Sequence, residues 1–164
     1  MAEITMALRE ITLAKALKLK NRLAGRLAKA QADVAAYNSV PEGQADQVNV
    51  PALIKAREEL VEALVSLKTA INDANREVQR DIYDLAEKKS TAQFLAGVNT
   101  RHGPQPPVYP STVEVNYVAA LKKADVDGLV AGLEKEIDQL QDKLDQFNHA
   151  RKVEVDGRLL ELAS

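Results

Sequence analysis

The fold is decided by residues 126–147, which read VDGLVAGLEKEIDQLQDKLDQF. Apolar side chains recur there at alternating intervals of four and three residues, with Glu, Lys, Asp and Gln at most positions between them. The members of this apolar seam are Val126, Val130, Leu133, Ile137, Leu140, Leu144 and Phe147. Such spacing, sustained over about three heptads, is typical of a coiled-coil helix that packs along one side. It predicts a helix over about 125–148, with Asp125 as its N-cap.

Three further helices are predicted from similar periodicity. Thr12 is a candidate N-cap because its hydroxyl can accept a hydrogen bond from a free backbone amide, and the apolar stripe after it extends to about Tyr37. Two adjacent stripes predict a second helix over about 51–80 that packs against more than one neighbour. A third helix, over about 81–98, either continues the second or follows a kink within 75–80. Together the helices predict a mainly α fold, an antiparallel bundle of long helices with coiled-coil-like packing.

Short strands are predicted at three places. Residues 4–8 alternate between apolar and other side chains, which indicates either a strand or a lead-in to the first helix. Residues 112–118 alternate in the same way after a proline-rich stretch. Residues 152–162 contain Asp156-Gly157, a pair that suits a type I′ turn, and predict a β-hairpin that pairs with 113–118 or with the N-terminal segment. The fold class therefore includes a small β-hairpin or short-strand element.

Composition narrows the classes of function. The 164 residues are 46% apolar and only 4% aromatic, which predicts a single helical domain with an aliphatic core. The absence of Cys excludes disulfides, thiol nucleophiles and Cys-ligated metal centres, and the net charge of −2 does not favour a nucleic-acid partner. No apolar run approaches the ~20 residues of a membrane-spanning helix, and the first residues lack a signal-peptide pattern. We therefore expect a cytoplasmic protein without membrane contacts.

Four stretches of the chain resemble one bacterial family. They are TLAKAL (12–17), INDAN (71–75), DVD (125–127) and residues 137–148. In this order they are similar to a largely uncharacterised helical family often labelled septicolysin, and the similarity extends over most of the chain. Ala74 stands where the family has Thr, and His149 where it has Trp. The resemblance implies a helical-bundle fold and no established catalytic residues. The cytolysin that the label suggests is not favoured, because the chain has no apolar helix able to span a membrane.

Two sets of polar residues are candidate sites. Arg101, His102 and Tyr109 lie in a proline-rich loop, a kind of segment that often contacts partners. Asn72 and Asn75 lie on or near the apolar stripes of the second helix and are predicted to be buried polar residues that set the packing register. The two histidines, at 102 and 149, lack the spacing of a zinc site. No catalytic residue, metal or cofactor is predicted.

The apolar stripes offer more surface than three helices bury, which predicts a homo-oligomer. The function expected is that of a non-enzymatic structural or assembly protein whose helical and β-edge interfaces join its copies. One alternative is an adaptor or binding module that captures a protein partner through the 100–111 loop or the C-terminal hairpin. Another is an enzyme that uses the region around His102.

Overall fold

The computed structural model describes residues 8–44 and 48–164. The chain begins with β1 (Leu8–Thr12), α1 (Leu13–Tyr37), a 3-10 turn (Glu42–Gln44), α2 (Val50–Asn75), a second 3-10 turn (Arg76–Val78) and α3 (Gln79–Ala96). It continues with β2 (Gly103–Gln105), β3 (Val115–Tyr117), α4 (Lys123–Ala150), β4 (Lys152–Asp156) and α5 (Gly157–Ala163). The fold is 71% helical with two antiparallel strand pairs, which confirms the predicted mainly α class with a small β element.

The chain folds into two compact units. The first unit comprises residues up to Glu77 together with residues 145–164, and the second comprises residues 78–144. The sequence patterns predict one helical domain and do not anticipate two units. The chain passes between the units twice, at 77–78 and at 144–145, and both passages lie within helical backbone. Each unit nevertheless has its own internal packing.

The first unit is built on an antiparallel hairpin of α1 and α2. Thr12 caps α1 as predicted, since its side-chain oxygen accepts a hydrogen bond from the Lys15 amide at 3.2 Å. One side of each helix is buried, and Leu13, Leu23 and Leu67 are the largest side chains with no access to solvent. Buried alanines on both helices permit the two backbones to approach closely. An aliphatic core therefore forms in a chain with few aromatic residues.

Strands β1 and β4 pair antiparallel and cover this hairpin. Ile11 lies opposite Val153, and Arg9 lies opposite Val155. Ile11, Val153 and Val155 are buried in the helical core, while Glu154 between the two valines is exposed. Strand alternation thus turns one side of the ribbon towards the helices. Residues 4–7 of the predicted N-terminal strand lie outside the described residues.

The predicted C-terminal hairpin over 152–162 is wrong. Only residues 152–156 form a strand, and α5 follows directly. Asp156 caps this helix, because its carboxylate accepts a hydrogen bond from the Arg158 amide at 2.9 Å. Leu159 and Ala163 are four residues apart, and both are buried in the core of the first unit. Glu161, midway between them, is exposed, whereas in a strand all three side chains would share one side. This pattern has helical spacing, so the Asp-Gly pair begins a helix here and not a turn.

In the second unit α3 and α4 lie antiparallel and are joined by ion pairs. Lys143 on α4 pairs with Asp81 at 2.7 Å, and Lys88 on α3 pairs with Glu136 at 2.6 Å. The hydrogen bond to Glu136 is the main cause that raises the pKa of Lys88 above its ordinary value, with desolvation opposing it and Asp84 adding to it. Ion pairs therefore bridge the two helices at two points along their length.

The apolar seam on α4 is only partly covered. Val126 and Leu144 are buried, and the other five members are half-buried. The helix begins at Lys123, two residues before the predicted cap. Asp125 lies in its first turn, where its carboxylate accepts from the Lys122 amide at 2.9 Å.

The prediction that Asn72 and Asn75 are buried is wrong. Asn72 is exposed and Asn75 is half-buried, and no polar or charged side chain among the described residues is buried. The buried positions at this end of α2 are Ile71 and Ala74, and Asn72 lies about 100° around the helix from Ile71. The buried side of α2 is therefore entirely apolar among the described residues.

Candidate functional site

A short ribbon of β2 and β3 carries the proline-rich loop in the second unit. Gly103 lies opposite Tyr117, and Gln105 lies opposite Val115. Gly103 has φ of +84°, a left-handed conformation that a residue with a Cβ rarely adopts. Glycine therefore allows the chain to turn into β2 at this point.

Side-chain hydrogen bonds close the open end of the ribbon. Nδ1 of His102, just before β2, accepts a hydrogen bond from the Ala119 amide at 3.2 Å, two residues after β3. The Asn99 side-chain oxygen accepts from the Arg101 amide at 3.1 Å. The first bond ties the segment before β2 to the segment after β3, and the second restrains the backbone at Arg101 locally.

Hydrogen bonds also shape the loop at the far end. The Ser111 amide donates to the Val108 carbonyl oxygen at 2.9 Å. The Ser111 hydroxyl accepts from the Val113 amide at 3.2 Å. These local turns bring the chain from β2 back to β3 and leave a cleft beside the ribbon.

The cleft has a volume of about 310 Å³. Apart from prolines 106 and 107 and Ser111, its walls are formed by Arg101, Gln105, Val108, Val113, Val115 and Tyr117. The three valines are exposed, and Val108 keeps 79% of its surface accessible. Exposed apolar side chains that line one concave site are typical of surfaces that bind a partner.

Arg101 is the only ionisable cation among the residues that line the cleft. Its guanidinium carbon lies 5.9 Å from the centre of the Tyr117 ring, within the range of a cation–π contact. Within residues 8–44 and 48–164, no carboxylate forms an ion pair with this guanidinium. Glu114, which is close in sequence, does not line the cleft. In the part of the chain that the structure describes, the cleft therefore presents a positive charge without a paired carboxylate, beside apolar walls.

The three residues predicted as a partner-binding loop take different places. Arg101 lines the cleft, His102 closes the ribbon, and Tyr109 is 94% exposed outside the cleft lining. Sequence reasoning missed Tyr117 and Val115 as cleft residues. The alternation at 112–118 indicated that both lie on one side of a strand, but not which segment pairs with it.

A groove in the first unit, between α2 and α5, is the other enclosed surface of note. It has a volume of about 230 Å³ and includes Glu59, Glu62 and Arg158. Arg158 already pairs with Glu59 at 2.9 Å. Among the described residues the groove therefore offers no free cation, and Glu62 and Asp156 in its lining leave it with a surplus of negative charge.

A second exposed surface lies on α3. Tyr83 and Phe94 are 64% and 69% exposed, and they lie about three helical turns apart, on the same side of the helix. Asp81 and Lys88, which pair with residues of α4, lie on the other side of α3, near the buried Leu85. Two aromatic rings therefore project from the side of α3 that α4 does not cover.

The described ranges, 8–44 and 48–164, contain neither a metal-binding cluster nor a membrane-spanning helix. No three side chains of His, Cys, Asp or Glu come together there as a metal-binding group. None of the helices in those ranges combines the length and the apolar character needed to cross a bilayer.

No family model, curated protein or solved structure matches the chain significantly. The resemblance to the family labelled septicolysin therefore stays a prediction based on residues 12–148.

Proposed function

We propose that this protein is a non-enzymatic structural protein that assembles into a homo-oligomer, with the second unit as its main self-association surface. The main observation is that residues 78–144 contain many large apolar side chains and bury few of them. That unit buries only Val78, Leu85, Val126 and Leu144. Ten of the fourteen large apolar side chains that are exposed in the described residues belong to it.

The balance between conformational entropy and apolar burial favours a second protein copy on the exposed apolar surface of the second unit. Ordering each residue costs about 1–2 kcal/mol of conformational entropy, which buried apolar surface must largely offset. A unit with four buried side chains offsets little of this cost. A second copy packed on the exposed side of α3 would remove Tyr83 and Phe94 from water and supply the missing burial.

Strand edges support the same proposal. Each sheet has only two strands, so each strand has one edge without a strand partner in the described chain. Such edges pair readily with another chain. Self-association through helical and β-edge surfaces would use both features.

The scarcity of cysteine and histidine supports the non-enzymatic part of the proposal. The chain has no cysteine and two histidines. Each histidine has a ring nitrogen hydrogen-bonded to the backbone, His102 to Ala119 and His149 to Asp145. A cytoplasmic location fits the cysteine-free composition, which needs no oxidising compartment.

Light scattering on a sizing column tests the proposal. We expect the wild-type protein to have the mass of a discrete oligomer, and the double variant Tyr83→Gln/Phe94→Gln to shift towards the monomer. Both side chains are exposed within the chain, so their replacement leaves its internal packing intact. The matched control is Val65→Gln on α2, where the side chain is 54% exposed in the first unit. A wild-type monomer from micromolar to submillimolar concentration would refute self-association. Equal dissociation by Val65→Gln would refute the assignment to the second unit.

A further inference from the structure

We propose that the cleft beside the β2–β3 ribbon binds an extended protein segment that carries a carboxylate next to an apolar side chain. This binding function is separate from self-association, and it rests on the cleft and not on the exposed side of α3.

The charge of the cleft selects the carboxylate. The Arg101 guanidinium contacts the Tyr117 ring, and no described carboxylate forms an ion pair with it. A guanidinium presents paired N–H donors that match the two oxygens of a carboxylate, and the aromatic ring beneath it holds its plane. The hydrogen bond from the Arg101 amide to Asn99 limits movement of the backbone that carries this group.

The walls of the cleft select the apolar neighbour. Val108, Val113 and Val115 are exposed and face the same cleft as Arg101. A volume of about 310 Å³ lies at the lower end of the range for ligand sites, so it suits one or two side chains and not a folded domain. An occupant that places one apolar side chain against the valines can also place a neighbouring carboxylate at Arg101.

The ribbon favours an extended backbone for the occupant. Pro104 lies in β2, and prolines 106 and 107 follow it, so this side of the ribbon lacks the N–H groups that a further strand would need. The outer edge of β3 contains no proline, and β2 covers only its other edge. A segment added along β3 would project alternate side chains over the side that holds Val115 and Tyr117. Backbone pairing would then contribute affinity, and Arg101 would contribute specificity.

The test uses the full-length protein and a defined panel of peptides. The panel contains extended pentapeptides with one Glu flanked by Val, Leu, Ile or Phe, and a matched panel has Gln in place of Glu. Amide chemical-shift changes in the isotope-labelled protein report both the affinity and the residues affected. We expect members of the Glu panel to shift the amides of Val113, Val115 and Tyr117, and the matched Gln peptides to bind about tenfold more weakly.

Variants of the protein complete the test. Arg101→Gln should weaken binding of the Glu peptides about tenfold and leave binding of the Gln peptides unchanged. The matched control is Arg80→Gln, which removes an exposed arginine on α3 outside the cleft. Both replaced side chains are exposed, so circular dichroism should report unchanged folding.

Three results would overturn the proposal. The first is failure of the entire Glu panel to bind. The second is equal affinity for the Glu and Gln panels. The third is a change in solution mass on Arg101→Gln, which would make the cleft a contact between copies of this chain. The first two results leave self-association untouched, and a monomeric wild-type protein would leave the peptide test fully interpretable.

Discussion

The two units of this protein bury very different amounts of apolar surface. In the first unit sixteen apolar side chains form one continuous core between α1, α2, β1, β4 and α5. In the second unit four are buried, although α3 and α4 also carry regular apolar stripes. An apolar stripe is thus well covered only where a third element packs over a helix pair.

The first unit gains its third layer from segments remote in sequence. Strand β4 and helix α5 come from the C-terminal end of the chain, and they cover α1 and α2. The second unit has only the small β2–β3 ribbon beside its two helices. Its surplus apolar surface is the reason to look there for contacts with other chains.

The largest expected effect compares one leucine in each unit. Leu67→Ala removes a fully buried side chain and should lower the free energy of unfolding by about 3 kcal/mol. Leu140→Ala removes a half-buried seam residue and should cost less than half as much. Chemical denaturation followed by circular dichroism measures both. Equal losses would mean that Leu140 is fully covered in solution, which would erase the contrast between the units.

Side-chain hydrogen bonds from α1 help to hold α5 on the first unit. Arg22 and Arg26 donate hydrogen bonds to the carbonyl oxygens of Ala163 and Leu162 at the end of α5, at 3.1 and 2.9 Å. Replacing both arginines with alanine should cost about 1–2 kcal/mol, because these cations satisfy free carbonyl groups at a helix C-terminus. Thermal unfolding is the measurement, with Lys29→Ala on the same helix as the control. An unchanged stability would show that apolar burial alone holds α5.

Amide hydrogen exchange at different protein concentrations compares the stability of the two units. Suppose that the second unit is stable only in a dimer. The fraction of protein that is monomeric then falls as the inverse square root of the total protein concentration. Amides of α3 should then exchange about threefold more slowly at tenfold higher concentration. Amides in the core of α1 should not change. Rates in α3 that are independent of concentration would count against self-association through this unit.

The smallest expected effect concerns the ion pair between α3 and α4. Lys88→Gln removes the contact with Glu136 and should slightly destabilise the second unit at neutral pH. The pKa of Lys88 is raised above its ordinary 10.5 in the fold, so the lysine contributes its stability below that pH. The contribution is lost as pH rises through the raised value. Unfolding curves of the two proteins should therefore converge in strongly alkaline solution, and a constant difference would contradict this linkage.

Prediction from the sequence succeeded where neighbours along the chain decide the structure. Thr12 caps α1 as expected, and the apolar stripe to Tyr37 forms one helix. The helical run is interrupted by a 3-10 turn at Arg76–Val78, within the range where a kink was one of the two alternatives. Helical periodicity and capping act within one or two turns, so the sequence contains them directly.

Prediction failed where the answer depends on a remote neighbour. The Asp156-Gly157 pair suits both a hairpin turn and a helix start, and the burial of Leu159 and Ala163 with Glu161 left exposed fits only the helix. Asn72 lies beside a buried stripe, and the packing of α2 turns it outwards. In the candidate site Arg101 was singled out, whereas Tyr117 was not, because its opposition to Gly103 is a long-range pairing.

The sequence by itself determined the helical class, the aliphatic character of the core and the presence of a proline-rich loop with one arginine at its start. Only the tertiary structure decided that β1 pairs with β4, that α5 covers α1 and α2, and that Arg101 lies over Tyr117 with no ion-pair partner among the described carboxylates. The reason is physical. Local periodicity determines which side of each element is apolar, but many pairings of such sides are compatible with one sequence pattern. The pairing that buries the most surface is selected only when the whole chain packs.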